Sequence, residues 1–161
     1  MKLQSYIIES CVEINLDKCG GDPIIRGTRI ELSVIVELLD NGMKIEDILK
    51  MFPEIPLDKV RVIYENLELF KKFLKAMNLA EITKEKLAGM PVVKGTRVPV
   101  STVYEFLRAG FKPEEIIKMF PTLRLSDVIE LAKYMDVLEP IIRKIWRKLI
   151  KRPQEVIKCL L

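Results

Sequence analysis

GDPIIRGTRIELS, residues 21–33, returns as GMPVVKGTRVPVS, residues 89–101. A loop motif used twice at one spacing is either a duplicated structural joint or a pair of binding sites. Sliding the sequence against itself by 68 positions aligns residues 21–64 with 89–132 without a gap. Gly21, Pro23, Gly27, Thr28, Arg29, Ser33, Glu37, Leu39 and Gly42 meet Gly89, Pro91, Gly95, Thr96, Arg97, Ser101, Glu105, Leu107 and Gly110. Further on, Lys50-Met51-Phe52-Pro53 meets Lys118-Met119-Phe120-Pro121. The repeat is longer than one solenoid unit and occurs twice, which indicates two copies of a small domain.

Each copy has the same internal logic. Pro23-Ile24-Ile25 and Ile30-Glu31-Leu32 flank a glycine turn and predict two short extended segments, with Cys11 to Asn15 alternating like a further strand. Ser33 and Ser101 are N-cap candidates for helices that Gly42 and Gly110 stop. A second short helix, Glu46 to Phe52 or Pro113 to Phe120, ends at a proline that forces the turn. A long third helix is expected from Leu57 or Leu125. Its apolar seam runs through Val60, Ile63, Leu67, Phe70, Leu74 and Met77, and through Val128, Leu131, Met135, Leu138, Ile142 and Ile145 in the second copy. Pro140 should kink or restart that second helix. The two seams are expected to pack on each other within the monomer, or between chains as a homodimer.

Three helices with a tight turn between the second and third describe a helix-turn-helix unit preceded by a small β element. The stretch CGGDPIIRGTRIELSVIVELLDNGMKIEDILKMFP, residues 19–53, resembles the domain-of-unknown-function family 433, and LAGMPVVKGTRVPVSTVYEFLRAGFKPEEIIKMFP, residues 87–121, is similar again. The resemblance extends over residues 11–66 and 82–134. It implies a homeodomain-like helical fold and an association with VapB-like antitoxins, which repress their own promoters and bind a nuclease toxin. Tandem copies depart from that family's usual single copy. The expected class is therefore mainly α. Two helix-turn-helix repeats fill residues 1–79, with an N-terminal strand, and 80–137, and a basic C-terminal helix fills 138–161.

The composition excludes several classes. Hydrophobic residues make up 49% and charged ones 31% of the 161, a balance that folds. No apolar run is long enough to cross a bilayer and the first residues lack a secretion core, so a cytoplasmic protein is expected. There is no histidine, and Cys11, Cys19 and Cys159 form no C-x-x-C pair. A structural zinc would need carboxylates to complete its ligands, and the commonest general base is missing. No metal, cofactor or enzymatic activity is expected.

In the motif itself, Gly27 and Gly95 sit where a turn needs positive φ, and Thr28 and Thr96 can bond local backbone. Arg29 and Arg97 either grip a phosphate or lock the β element by bonding carbonyls and an acid such as Glu37 or Glu105. The sequence favours a structural joint made of all six residues. Nucleic-acid contacts are expected elsewhere. At the start of the third helix the first copy offers Lys59 and Arg61, whereas the second offers Ser126, Asp127 and Glu130. The last segment, residues 138–161, holds Arg143, Lys144, Arg147, Lys148, Lys151, Arg152 and Lys158 against Glu139 and Glu155, a net +5. The chain's total is +4, so everything before the segment sums to −1. Ile141, Ile142, Ile145, Trp146 and Leu149 give that segment an apolar face, and Pro153 should open a last short helix. The functional expectation is a non-enzymatic nucleic-acid-binding regulator of antitoxin-like type, with DNA or RNA and a nuclease toxin as partners. The alternative is a protein-interaction or RNA- and ribosome-associated scaffold.

Overall fold

The computed structural model describes residues 2–150, the side chains at 2, 88, 146 and 148–150 excepted. It divides into two compact units, Met1–Leu74 and Lys75–Leu161, with the boundary inside a helix. In the first unit α1 (Lys2–Cys11) leads into β1 (Val12–Glu13), a 3-10 turn (Cys19–Gly21) and β2 (Ile24–Ile25). Helices α2 (Leu32–Asp40), α3 (Ile45–Met51), α4 (Leu57–Glu65) and α5 (Leu67–Met77) follow. The second unit repeats the pattern with β3 (Ala80–Glu81), a 3-10 turn (Leu87–Gly89), β4 (Val92–Val93), α6 (Val100–Arg108), α7 (Pro113–Met119), α8 (Leu125–Lys133) and α9 (Met135–Ile150). From β1 onward each element starts 68 residues before its counterpart. The duplication therefore reaches beyond the span in which identities are dense. The protein is mainly α, with short strands ahead of each set of helices.

The strands are two residues long and antiparallel, with Val12 opposite Ile25 and Ala80 opposite Val93. Sheets this small are marginal in water. Side chains stitch them. Gly27, at φ 81°, forms the turn in which the Thr28 N–H donates to the Ile25 carbonyl at 3.0 Å. Thr28 Oγ1 donates to the same carbonyl at 2.8 Å and accepts the Ile30 N–H at 3.0 Å. The Glu13 carboxylate accepts the Gly27 N–H at 3.1 Å and the Lys18 ammonium at 3.2 Å. The second unit has the same arrangement. Thr96 bonds Val93 and Val98, and Glu81 accepts the Gly95 N–H at 3.2 Å and Lys86 at 2.8 Å.

Three helices then pack mutually in each unit, α2 with α3 and α4, and α6 with α7 and α8. Leu32, Ile35, Val36 and Leu39 point inward from α2 against Ile48 of α3 and Val60 and Ile63 of α4. Each such buried side chain contributes about 1.5–3 kcal/mol of transfer free energy. Helix α2 begins two residues earlier than expected. Glu31 is its N-cap and the Ser33 hydroxyl donates to the Glu31 carboxylate, so Ser33 caps nothing; in the second unit Pro99 takes the N-cap position instead of Ser101. The C-termini follow the Schellman pattern. Met43 N–H reaches Leu38 O and Gly42 N–H reaches Leu39 O, and Phe111 and Gly110 repeat this on Phe106 and Leu107. The Phe106 and Phe111 rings meet edge to face, centroids 5.2 Å apart, which supplies the apolar contact that accompanies this motif.

The long third helix is not continuous. It breaks at Asn66, whose Nδ2 donates back to the Val62 carbonyl, and at Tyr134. The expected seam is thereby split: Val60, Ile63, Val128 and Leu131 serve their own three-helix bundles, while Leu138 and Ile142 lie on α9, which packs on α6 and α8. Pro140 lies inside α9, after the break. The helix α1, which the sequence pattern did not foresee, packs on α4 through buried Ile8 and Cys11.

One ion pair ties the last helix of each unit to the helix that opens its three-helix bundle. In the first unit Lys71 of α5 meets Asp40 of α2 at 3.1 Å. In the second, at the same two positions, Glu139 of α9 meets Arg108 of α6. The polarity is reversed and the pairing kept. Replacing Asp40 by Arg should lower the urea midpoint, and Asp40→Arg with Lys71→Glu, the polarity of the second unit, should recover it. A double variant no better than the single one would show that the pair is incidental.

Two further measurements test the packing. The Tyr104 hydroxyl is buried without a hydrogen-bond partner among the described residues, and Tyr104→Phe should raise stability by about 1 kcal/mol in thermal unfolding. Glu13 is held below the ordinary glutamate pKa chiefly by the Gly27 N–H, with Lys18 assisting, and Glu81 chiefly by Lys86, with the Gly95 N–H assisting. A depressed folded pKa gives stability that is complete above the unfolded value, about 4.3, and is lost as pH falls through the folded value. Stability should therefore drop below about pH 4. Glu13→Gln with Glu81→Gln should flatten that drop in denaturation curves taken from pH 5 to 3.

Candidate nucleic-acid interface

A cation already bonded within the fold keeps fewer donors for a phosphate. Lys59 has been used. Its Nζ donates to the Ser10 carbonyl at 2.6 Å, at the C-terminal end of α1, where a cation also meets the negative end of the helix dipole. Of the cations expected to contact nucleic acid, Lys59 is thus the one bound to the first helix. Arg61, on the same helix, is exposed and makes no hydrogen bond or ion pair among the described residues. It shares the outer face of α4 with Leu57 and Tyr64, the latter 57% exposed. In α8 the corresponding positions hold Ile129, 46% exposed, and Ala132. Asp127 there turns to Arg124 at 3.0 Å.

Helix α9 carries its basic face as the sequence pattern expects. Ile141 and Ile142 are buried, and Arg143, Lys144 and Arg147 are exposed. The first two are not idle. Arg143 pairs with Glu139 one turn back at 3.0 Å, and Lys144 also has a partner. Arg147 is the exposed cation of this face that forms no pair among the described residues. Lys148 follows it on the helix, and Lys151, Arg152 and the short helix expected after Pro153 lie outside the described residues.

The six residues assigned to a joint divide into two kinds. Gly27, Thr28, Gly95 and Thr96 close the turns as described above. Arg29 and Arg97 stand apart from those four. Both are exposed, and neither guanidinium bonds a carbonyl, Glu37 or Glu105 among the described residues. The carbonyl-binding role belongs three residues earlier, to Arg26, whose Nε and Nη2 donate to the Glu9 carbonyl at 2.9 and 2.6 Å and whose Nη2 also reaches Val12 O at 2.8 Å. The reason is directional. Arg26 precedes the glycine on the side of the hairpin that pairs with β1, so its fork reaches the open carbonyls ending α1, whereas Arg29 lies beyond the turn. The other anchors of the joint, Glu13 with Lys18 and Glu81 with Lys86, recur at the 68-residue spacing outside the span 21–64, where a pairwise comparison would have exposed them.

Among the described residues no group of three or more Cys, Asp or Glu side chains could hold a metal ion, and no helix is long and apolar enough to cross a membrane. Burial, with the charge of Asp136 adding to it, raises the pKa of Tyr104, which is thus neutral at physiological pH. Burial likewise raises that of Cys11. Neither suits a base or a nucleophile.

A family model described as a protein of unknown function, DUF433, matches residues 12–65 and again residues 81–135. No curated protein and no solved structure matches the chain. With both units matched, over more than half of its length, the chain belongs to the DUF433 family as a tandem pair of its domains.

Proposed function

We propose that this protein is a non-enzymatic, cytoplasmic nucleic-acid-binding regulator of the antitoxin-like type. The observation that carries the reading is the two-faced α9, with Ile141 and Ile142 buried below and Arg143, Lys144 and Arg147 outward. Seven cations in the final segment, in a chain otherwise near neutral, give a local positive field toward a polyanion. Arg61 on α4 adds a cation at the place where a helix-turn-helix meets the major groove. A nuclease toxin is the protein partner this reading includes.

One observation favours the alternative, a protein-interaction or RNA- and ribosome-associated scaffold. The outer face of α8 presents Ile129 and Ala132 where a groove-reading helix needs donors or amides. Co-purification from native cells separates the two, a nuclease supporting the regulator and ribosomal components the scaffold.

The direct test is gel retardation with mixed genomic fragments at low salt. Retardation is expected, weakening as salt rises because each neutralised phosphate releases counterions. Arg147→Glu should weaken it about tenfold and make the logarithmic salt dependence shallower by about one to two units. No retardation of any fragment at low salt would overturn the proposal.

A further inference from the structure

We infer that Arg29 and Arg97 are a duplicated phosphate contact, one per unit, for the backbone of a nucleic acid. The inference rests on the nucleic-acid reading above and adds to it a site on the hairpin tips, apart from α4, α8 and α9.

The backbone that carries each arginine is fixed the same way in both units. Gly27 and Gly95 have φ 81° and 77°, the threonine hydroxyls bond at 2.8 and 3.0 Å on both tips, and a glutamate holds each glycine N–H. A guanidinium on such a base is pre-positioned, so less freedom is lost when it binds. The turn itself does not need arginine, because none of its hydrogen bonds comes from that side chain. Its neighbours vary accordingly, with Arg26 replaced by Lys94, Ile30 by Val98 and Glu31 by Pro99. Yet the arginine is the same in both.

The internal ion pairs show what happens when a charged residue's partner lies inside the chain. Asp40–Lys71 became Arg108–Glu139, because two positions of one sequence can change sign together. A charge whose partner is outside the chain has no such freedom. Its sign is fixed by a partner the chain cannot rewrite, and Arg29 and Arg97 behave in that way. Some charged residues kept in both units serve the chain itself: Glu46 and Glu114 open α3 and α7 and Lys50 and Lys118 close them, each favourable to the helix dipole. The same cation presented by two units calls for the same anion twice. A nucleic-acid backbone offers an identical phosphate at every step and so meets both units whatever their separation, whereas a folded protein has no reason to repeat one carboxylate. The guanidinium fork matches a phosphate's oxygens bidentately.

Fluorescence anisotropy of the full chain against a labelled mixed-sequence DNA duplex and, separately, a labelled RNA hairpin tests this. Arg29→Gln with Arg97→Gln should weaken binding to the favoured polymer by about tenfold or more and lower the salt slope by about two, with each single variant giving about half the slope change. The thermal midpoint should stay at the wild-type value. Arg29→Lys with Arg97→Lys should retain the salt slope with only part of the affinity, since a point charge replaces a fork. A wild-type protein that binds while the double glutamine variant binds equally well overturns this site and leaves the wider proposal standing. A lowered midpoint that accounts for the lost binding overturns it too, by returning the arginines to a structural role. Binding of neither polymer by the wild type overturns both.

Discussion

A carboxylate that accepts a turn's N–H and a lysine's ammonium at once decides where each unit's helices begin. Glu13 stands on a strand of two residues, too short to hold a register by ladder bonds alone. Its bonds to Gly27 and Lys18 draw the strand, the loop after it and the hairpin tip to one point. From there the path is forced. Ile24 bridges to Glu31, the Leu32 N–H reaches back to the Pro23 carbonyl, and α2 starts with Leu32, Ile35, Val36 and Leu39 aimed inward. Glu81 does the same through Gly95 and Lys86, and the rest of the second unit follows in the same order.

Much of this was legible. The 3.6-residue spacing of apolar positions in the middle helices, the stopping glycines at 42 and 110 and the prolines at 53 and 121 carry local physics that tertiary context does not reverse, and they placed the three-helix core to within a residue or two. The continuous third helix was not legible, because a seam at steps of three and four passes smoothly through a break. Leu67 and Met135 fit the spacing on either side, and only the short-range bonding at Asn66 and the cap at Tyr134 end the helix. The first helix was hidden for a related reason. Alternation in Cys11 to Asn15 is real, but it describes the strand that begins where α1 stops.

The candidate interface was legible in charge and not in use. Residue type marks Lys59, Arg61 and Arg143 alike as cations, yet the fold spends Lys59 on the Ser10 carbonyl and Arg143 on Glu139 and leaves Arg61 unpaired. Arg26 and Arg29 are the sharper case, since the two stand three residues apart in one motif and opposite roles fell to them. Which of two arginines meets open carbonyls depends on which side of the turn faces the end of α1, a relation between segments that no local pattern contains.

The two units also show which parts of a duplicated domain are free to change. The turn geometry is fixed because positive φ at glycine and a hydroxyl two residues before the next strand-like bond leave few alternatives. The cations that close α1 in the first unit, Arg26 and Lys59, correspond to Lys94 and Asp127 in the second, so that closure belongs to one unit alone. Loss of Lys59's counterpart coincides with a new local pair, Arg124 with Asp127, and with Ile129 in place of Arg61. These substitutions fall on one helix, and together they turn its outer face from cationic and aromatic to aliphatic. One joint and one core thus carry two helices, α4 and α8, of different surface chemistry, while the hairpin tips remain chemically alike. The pattern fits a protein whose units share one general contact through their tips and diverge in what α4 and α8 meet.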